Sequence, residues 1–242
     1  MIHIYSIQFN KPQFIELQKK SFDKFCGDYK FTVIDNSINP SITKEIHSIC
    51  DSLELECIET VDKFDTSTNQ LHGISHEVGV RLFLDRLKNH HTSNDIVMLL
   101  DHDLIFISPI SQIEDLINES SILSRNQTRQ HLYYVWPGLS IYNLKNCINI
   151  NELNLDGCQL IDGQWQPIAD GVFADVGGHS YHYLKKYKDE LKYVDITKYF
   201  VELREEVKPE HIFYHFENGS QWSNYSMVEW ESKFEKMNNI LR

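Results

Sequence analysis

Asp101-His102-Asp103 is the pattern in this chain with the sharpest chemistry. It follows a continuous apolar run, Ile96-Val97-Met98-Leu99-Leu100, and precedes another, Leu104-Ile105-Phe106-Ile107. In extended backbone, residues two apart face the same way, so Asp101 and Asp103 point together while His102 points away. Two carboxylates held side by side repel unless a cation lies between them. Oxygen ligands of this kind suit Mg²⁺ or Mn²⁺, which bridge carboxylates to phosphates. A run such as 96–100 is typical of a strand buried on both faces, and open α/β sheets bind ligands at the carboxyl ends of their strands. The histidines offer less. His72, His76, His90 and His91 have no Cys/His spacing that completes a tetrahedral zinc site. His72 and His76 lie one helical turn apart on a shared face and read as the solvated start of a helix. His179 and His182 read as surface residues.

The elements that must position the carboxylates alternate between strand and helix, which points to a mostly parallel sheet. Ile2 to Ile7 reads as a strand, and residues 11–25 as a helix with Phe14, Leu17, Phe22 and Phe25 near helical spacing. Phe31 to Ile34 is a second strand, ended by the turn-prone Asp35-Asn36-Ser37. A helix over 41–53, a short strand over 55–59, a polar loop over 65–69 and a long helix over 72–89 lead to the apolar strand at 96–100. Beyond residue 110 the pattern loosens. Residues 112–118 suggest a helix. Residues 132–135 and 139–142 suggest two strands separated by Trp136-Pro137-Gly138, and 170–178 a glycine-punctuated loop or short strand. A helix over 179–192, an aromatic strand over 212–216 and an amphipathic helix over 228–241 complete the reading. No repeat, linker or boundary divides the chain, so one domain is expected.

Composition narrows the class. The 242 residues are 41% hydrophobic and 24% charged, which suits a globular α/β domain and excludes a wholly disordered chain. Lysine and arginine number 23 against 35 acidic residues, a net charge of −12. That balance argues against a nucleic-acid partner or an anionic membrane surface, while a bound metal can still supply positive charge locally. No apolar run approaches ~18 residues, so no transmembrane segment is expected. Met1 to Tyr5 lacks the basic-then-apolar pattern of a secretion signal, which makes a cytoplasmic location the expectation. The five cysteines contain no C-x-x-C and read as reduced thiols. The four N-x-S/T triplets then read as chance matches. Phosphate-loop, dinucleotide and nucleophile-elbow motifs are missing.

The run Ile96 to Phe106 resembles the "vlxLDxDxxv" strand of nucleotide-sugar-dependent glycosyltransferases of the A-type (GT-A) fold. The resemblance extends over most of the chain. It implies a Rossmann-like mixed sheet flanked by helices, with a nucleotide-binding half over about 1–110 and an acceptor-binding half over about 111–242. It implies a Mn²⁺ or Mg²⁺ cofactor on Asp101 and Asp103. The donor would be a nucleoside-diphosphate sugar, with UDP the expected nucleotide, and the acceptor a hydroxyl on a glycan, lipid-linked or protein molecule. Tyr5, Ser6, Asp35 and Asn36 would hold base and ribose from strand ends, His102 would lie beside the ribose, and Arg81 would reach the diphosphate. The Ser/His/Gly stretch near His72 and His76 occupies a position near the nucleotide in some such enzymes.

Further likenesses lie downstream. His215-Phe216-Glu217-Asn218-Gly219-Ser220-Gln221-Trp222 is similar to the glycogenin-like His-Phe-x-Gly-x-x-Lys-Pro-Trp, with the glycine one place late, the tryptophan one place early and no Lys-Pro pair. The match implies His215 as third metal ligand, which favours Mn²⁺, with Gly219 and Trp222 at the donor. Trp136 to Asn143 looks like the "xxxGvxxxN" strand that shapes the acceptor side. Asp170 to Gly178 resembles the stretch that places a carboxylate near the reacting sugar, implying Asp175, then Asp170, as the catalytic group. Inversion needs a general base there and retention a carboxylate or amide on the opposite face. Trp136, Trp165 and Trp222 could stack on sugar rings. Two other readings remain: a nucleotidyltransferase-like enzyme, against which the first loop Gln8 to Pro12 lacks glycine, and a sugar-nucleotide-binding module without catalysis.

Overall fold

The computed structural model describes residues 1–60, 71–161, 164–202, 205–216 and 227–241. In chain order it comprises β1 (Ile2–Gln8), α1 (Gln13–Phe25), β2 (Tyr29–Asp35), α2 (Pro40–Ser52), β3 (Glu56–Glu59), α3 (Leu71–Asn89), β4 (Ile96–Asp101) and β5 (Leu104–Phe106). There follow α4 (Glu114–Glu119), β6 (Ile122–Arg129), β7 (Leu132–Asn143), β8 (Gln159–Ile161), β9 (Gln164–Gln166), α5 (Ser180–Lys186), β10 (Tyr193–Asp195), β11 (Phe200–Glu202), β12 (Phe213–His215) and α6 (Met227–Ile240).

Seven strands form the main sheet in the order β10-β6-β7-β4-β1-β2-β3. β3, β2, β1 and β4 run parallel, β7 is antiparallel to both β4 and β6, and β10 is parallel to β6. The sheet is therefore mixed, as expected, and covered on both faces. Alternate residues of β4 show why its sequence is apolar throughout. Met98 and Leu100 join α1 and α2 through Phe22, Ile46 and Cys50. Val97 and Leu99 join α3 and α5 through Val80, Phe83, Leu87 and Leu184. A side chain such as Phe83, fully buried, contributes about 1.5–3 kcal/mol by leaving water. Helix α2 starts on an Asn39 cap whose Oδ1 accepts from the Ser41 N–H, with Pro40 as its first residue.

A small sheet, β11-β12-β5, branches off directly after Asp103. β12 runs antiparallel to β5 and parallel to β11. Its far face packs Ile105, Val201 and Tyr214 against Phe14 and Leu17 of α1 and Met237 of α6. No described helix is long and apolar enough to cross a membrane, and all five cysteines are free thiols.

The second half departs from the sequence reading in three places. Residues 132–143 form one strand, not two. Trp136, Pro137 and Gly138 sit in a bulge against β6, between the pairs Asn126–Val135 and Ser124–Ser140. A bulge is where a strand tolerates a proline, and the Ser124 hydroxyl accepts from Trp136 N–H and donates to Leu139 O across it. The helix expected over 179–192 stops at Lys186, because residues 193–195 are drawn into the main sheet beside β6. Strands β6 and β8 to β11 carried no legible alternation. The loop expected over 65–69 lies outside the described residues.

Candidate functional site

β4 ends at Asp101, on the carboxyl edge of the parallel strands, and the chain turns through His102 and Asp103 into β5. The turn is anchored from beneath by α1. Gln18, fully buried, donates from Nε2 to the carbonyls of Asp101 (2.9 Å) and Leu104 (3.0 Å), and its Oε1 accepts from Gln8 Nε2 (3.0 Å). Ser21 donates to Phe106 O and accepts from Phe106 N–H. Two polar residues on the apolar face of α1 thus fix where the carboxylates stand.

The strand pairing brings the third group. β12 places His215 opposite Leu104, and the Phe216 N–H donates to the carbonyl of Asp103 at 2.9 Å. β11 places Glu202 beside His215. His215 Nε2 then lies 3.6 Å from Asp103 Oδ1, while its Nδ1 lies 2.7 Å from Glu202 Oε2. Arg125 Nη1 donates to Glu202 Oε1 at 2.6 Å. The Arg125 guanidinium rests over the Trp136 ring at 5.1 Å, and that ring meets His215 edge-on at 5.4 Å. Asp101 points instead to His76 of α3, with 2.8 Å between Oδ1 and Nε2. A Cβ on Gly138 would fall 2.3 Å from the Trp136 ring and 2.8 Å from Asp101 Oδ2, so only glycine fits there.

Burial works against charge at His215, but the Asp103 and Glu202 carboxylates outweigh it and push the imidazole up to about 10. Burial likewise opposes ionisation of Asp103 and Glu202. The His215 charge and its bonds reverse this, holding Asp103 well below the usual carboxylate range and Glu202 below it. His76 is raised against its own desolvation by Asp101, then by Asp103 and Asp175. Three carboxylates therefore act on one imidazole.

Asp101, Asp103 and His215 fit a hard or borderline divalent ion in donor type. Glu202 holds the Nδ1–H of His215 and leaves Nε2 as the ligating atom, the outer-shell arrangement metal-binding histidines require. Pairing in this state is with the two histidines, and the three ligand atoms do not meet within 4.8 Å of one another. Asp101 must turn from His76 to complete the set.

The other expected residues divide. Asp175 is half-exposed and accepts from the Tyr134 hydroxyl at 2.5 Å, with Arg129 Nη2 3.4 Å away. Gly177, at φ +98°, lets its loop lie against β7, where a Cβ would sit 2.2 Å from the Val135 carbonyl. Asp175, Arg129, Cys158, Trp165, Phe173 and Ala174 line an open groove of about 490 Å³. Asp170 occupies a left-handed turn position, φ 49°, exposed and 3.4 Å from His131, and makes no contact with the cluster. Asp35 and Asn36 lie at the carboxyl edge, as expected. Asp35 Oδ1 accepts from Ser37 N–H, its buried Oδ2 has no hydrogen bond, and Asn36 Oδ1 accepts from Thr60 Oγ1.

Tyr5 and Ser6 are not at a strand end, because β1 continues to Gln8. Tyr5 pairs with Leu99 in mid-sheet and packs on Phe83, and the Ser6 hydroxyl accepts from Gln8. Arg81 is bonded to Glu77 and Asp156. His102 is buried with its ring 5.3 Å from Phe14. Gly219 and Trp222 lie outside the described residues. Sequence reasoning passed over Gln18, Glu202, Arg125 and Tyr134 as partners of the cluster. Gln18 alone left a trace, as a polar residue on an apolar helical face; Glu202 is brought in by the pairing of β11 with β12, and Arg125 and Tyr134 reach Glu202 and Asp175 through their side chains from β6 and β7.

No protein-family model and no curated protein matches the chain. Solved structures do. The galactosyltransferase LgtC, determined with donor and acceptor sugar analogs, is 12% identical over 100% of this chain and 95% of its own, with a TM-score of 0.51. The glycosyltransferase GlyE of Streptococcus pneumoniae TIGR4 is 16% identical over 99% of this chain, with a TM-score of 0.51. The chain spans 61% of GlyE. The fold is that of the GT-A glycosyltransferases.

Proposed function

We propose that this chain is a glycosyltransferase that moves a sugar from a nucleoside-diphosphate sugar to a hydroxyl acceptor. One observation carries the reading. At the carboxyl edge of a GT-A sheet, Asp103 stands beside His215, whose Nδ1 is held by Glu202, and Asp101 stands two residues before it against His76. Asp101, Asp103 and His215 would hold Mn²⁺, with Mg²⁺ the alternative, and His76 and Gln18 set the carboxylates in place. A divalent ion there supplies Lewis-acid neutralisation of the charge that builds on the leaving diphosphate. It also supplies positive charge that a chain of net −12 otherwise lacks at this edge. Asp35 and Asn36 lie on the same edge for ribose or base.

Asp175 is the group on the acceptor side. It faces a groove flanked by Trp165 and Phe173, whose exposed rings suit the apolar face of a sugar. Its charge adds to those of Asp101 and Asp103 in raising His76. LgtC, of the same fold, binds donor and acceptor sugar analogs. Asp175 takes the acceptor proton if configuration inverts, or supports the sugar cation if it is retained.

A thermal-shift series against UDP-, GDP-, CMP- and dTDP-sugars, each with Mn²⁺ and with EDTA, tests the reading. A ligand at a hundred times its dissociation constant adds about 2.7 kcal/mol of stability. A Mn²⁺-dependent shift with one nucleotide class, UDP by expectation, followed by sugar transfer, supports it. No shift with any donor overturns it, and a shift without turnover favours a binding module.

A further inference from the structure

We propose that His3, His91 and Asp95 form a second cation site, specific for a borderline ion of the zinc class, at the opposite edge of the sheet from Asp101. The three come from separate segments: β1, the residues that follow α3, and the turn that enters β4. Their ligand atoms lie within 4.8 Å of one another, the sole such group of three among the described residues.

Two imidazoles and one carboxylate form a donor set for zinc, with a fourth position left for water. The spacing fits. Bonds of about 2.0–2.2 Å place tetrahedral ligands about 3.3–3.6 Å apart. His91 Nδ1 is 3.5 Å from Asp95 Oδ2, and His3 Nε2 is 3.7 Å from Asp95 Oδ1. Both gaps are longer than an ordinary hydrogen bond. The His91 side chain is 4% exposed, and its buried Nδ1 has no hydrogen-bond partner. The outer shell is in place too. The Tyr5 hydroxyl lies 2.9 Å from His91 Nε2, which fixes Nδ1 as the ligating atom when Nε2–H donates to Tyr5. The Thr92 N–H donates to Asp95 Oδ2 at 2.8 Å, orienting the carboxylate. The two rings meet edge-on at 4.6 Å. Burial keeps both imidazoles below the ordinary histidine range, so the nitrogen lone pairs are available.

Asp101 lies six residues along the chain from Asp95, about 20 Å at 3.3 Å per residue. An ion here cannot reach the donor site. It would clamp the entry of β4 to β1, the two strands whose far ends carry Asp101 and Gln8, the latter paired with Asp35 of β2.

Tag-free full-length protein, stripped with EDTA, is titrated with Zn²⁺ alone by calorimetry, and with Co²⁺ to read coordination from visible absorption. In the double variant Asp101→Asn/Asp103→Asn, which removes the first cluster, one zinc per chain is expected, with the intense visible bands of tetrahedral cobalt. The unaltered chain should hold that zinc in addition to any taken by the Asp101 cluster. His3→Gln and Asp95→Asn should each lose the site, and Tyr5→Phe should weaken it about 10–100-fold. Circular dichroism checks each variant's fold; His3, at the sheet edge, gives the reading if Asp95→Asn does not fold. Absence of zinc binding in the unaltered chain overturns the proposal. So does zinc that survives His3→Gln in the double variant, or that disappears with Asp101→Asn/Asp103→Asn.

Discussion

At the scale of single residues, burial separates two carboxylates that look equivalent in the sequence. Asp103 is buried against His215, so removing it breaks a buried ion pair, at a cost of about 3–5 kcal/mol. Asp101 is partly exposed beside His76, and Asp101→Ala should cost about 1 kcal/mol or less. Asp101→Ala is therefore the cleaner test: Mn²⁺-dependent donor binding should vanish while the melting temperature barely moves, and retained activity would remove Asp101 from the metal set. His215 gives a pH signature. Its imidazole is pushed up to about 10 in the metal-free protein, against about 6.5 unfolded. Its contribution to stability is full below about 6.5 and lost as pH rises through about 10. Metal binding runs the other way, because ligation needs the neutral ring and releases a proton. The Mn²⁺-induced melting shift should grow between about pH 6 and pH 8, and a shift that shrinks over that range would exclude His215 as a ligand. Asp175→Asn should lower kcat by about 10²–10⁴-fold if Asp175 is the base, with donor KM unchanged. Equal loss in both constants would mean a binding role.

At the scale of elements, what was legible depended on how local its cause is. β4 was readable because a strand buried on both faces has to be apolar at every position, and that strand delivered the Asp101-His102-Asp103 turn. α1 was readable from Phe14, Leu17 and Phe22. The role of Gln18 was not, since its partners are carbonyls 83 and 86 residues away. His215 was singled out by its motif, yet Glu202 carried no signal, because only the pairing of β11 with β12 sets them side by side. Tyr5 and Ser6 open the stretch Tyr5 to Phe9 expected at the end of β1, but that end falls at Gln8, which is buried and whose side chain bonds Ser6 and Gln18. The α1 anchor can be tested directly. Gln18→Leu removes the donor to Asp101 O and Leu104 O, and each buried carbonyl left unsatisfied costs about 1–3 kcal/mol. Loss of Mn²⁺-dependent donor binding should accompany that drop. A destabilised variant that still binds donor normally would show that α1 supports the fold without setting the site.

At the scale of the whole molecule, order is graded from the main sheet towards the groove beside Asp175. β4 and β1 lie between covered faces, and their amides open only when the sheet does. β8 and β9 form a two-stranded sheet of their own, with Ile161 49% and Trp165 44% exposed. A pair of strands without a third partner is marginally stable in water, so its amides should exchange through local opening. The late pattern was hard to read for the same reason: with few buried contacts to constrain them, these segments carry weak periodicity. The gradient suits the proposed activity, with a fixed donor edge and an acceptor wall that adapts around Trp165. Hydrogen exchange followed by mass spectrometry should show slow exchange across 96–101 and fast exchange across β8 and β9. Donor with Mn²⁺ should slow the segments around Asp103 and His215 while leaving β8 and β9 fast, and acceptor should slow these two strands. Protection of β8 and β9 equal to that of β4 in the free protein would show that the groove wall belongs to the rigid core, and that acceptor choice is made by a preformed surface.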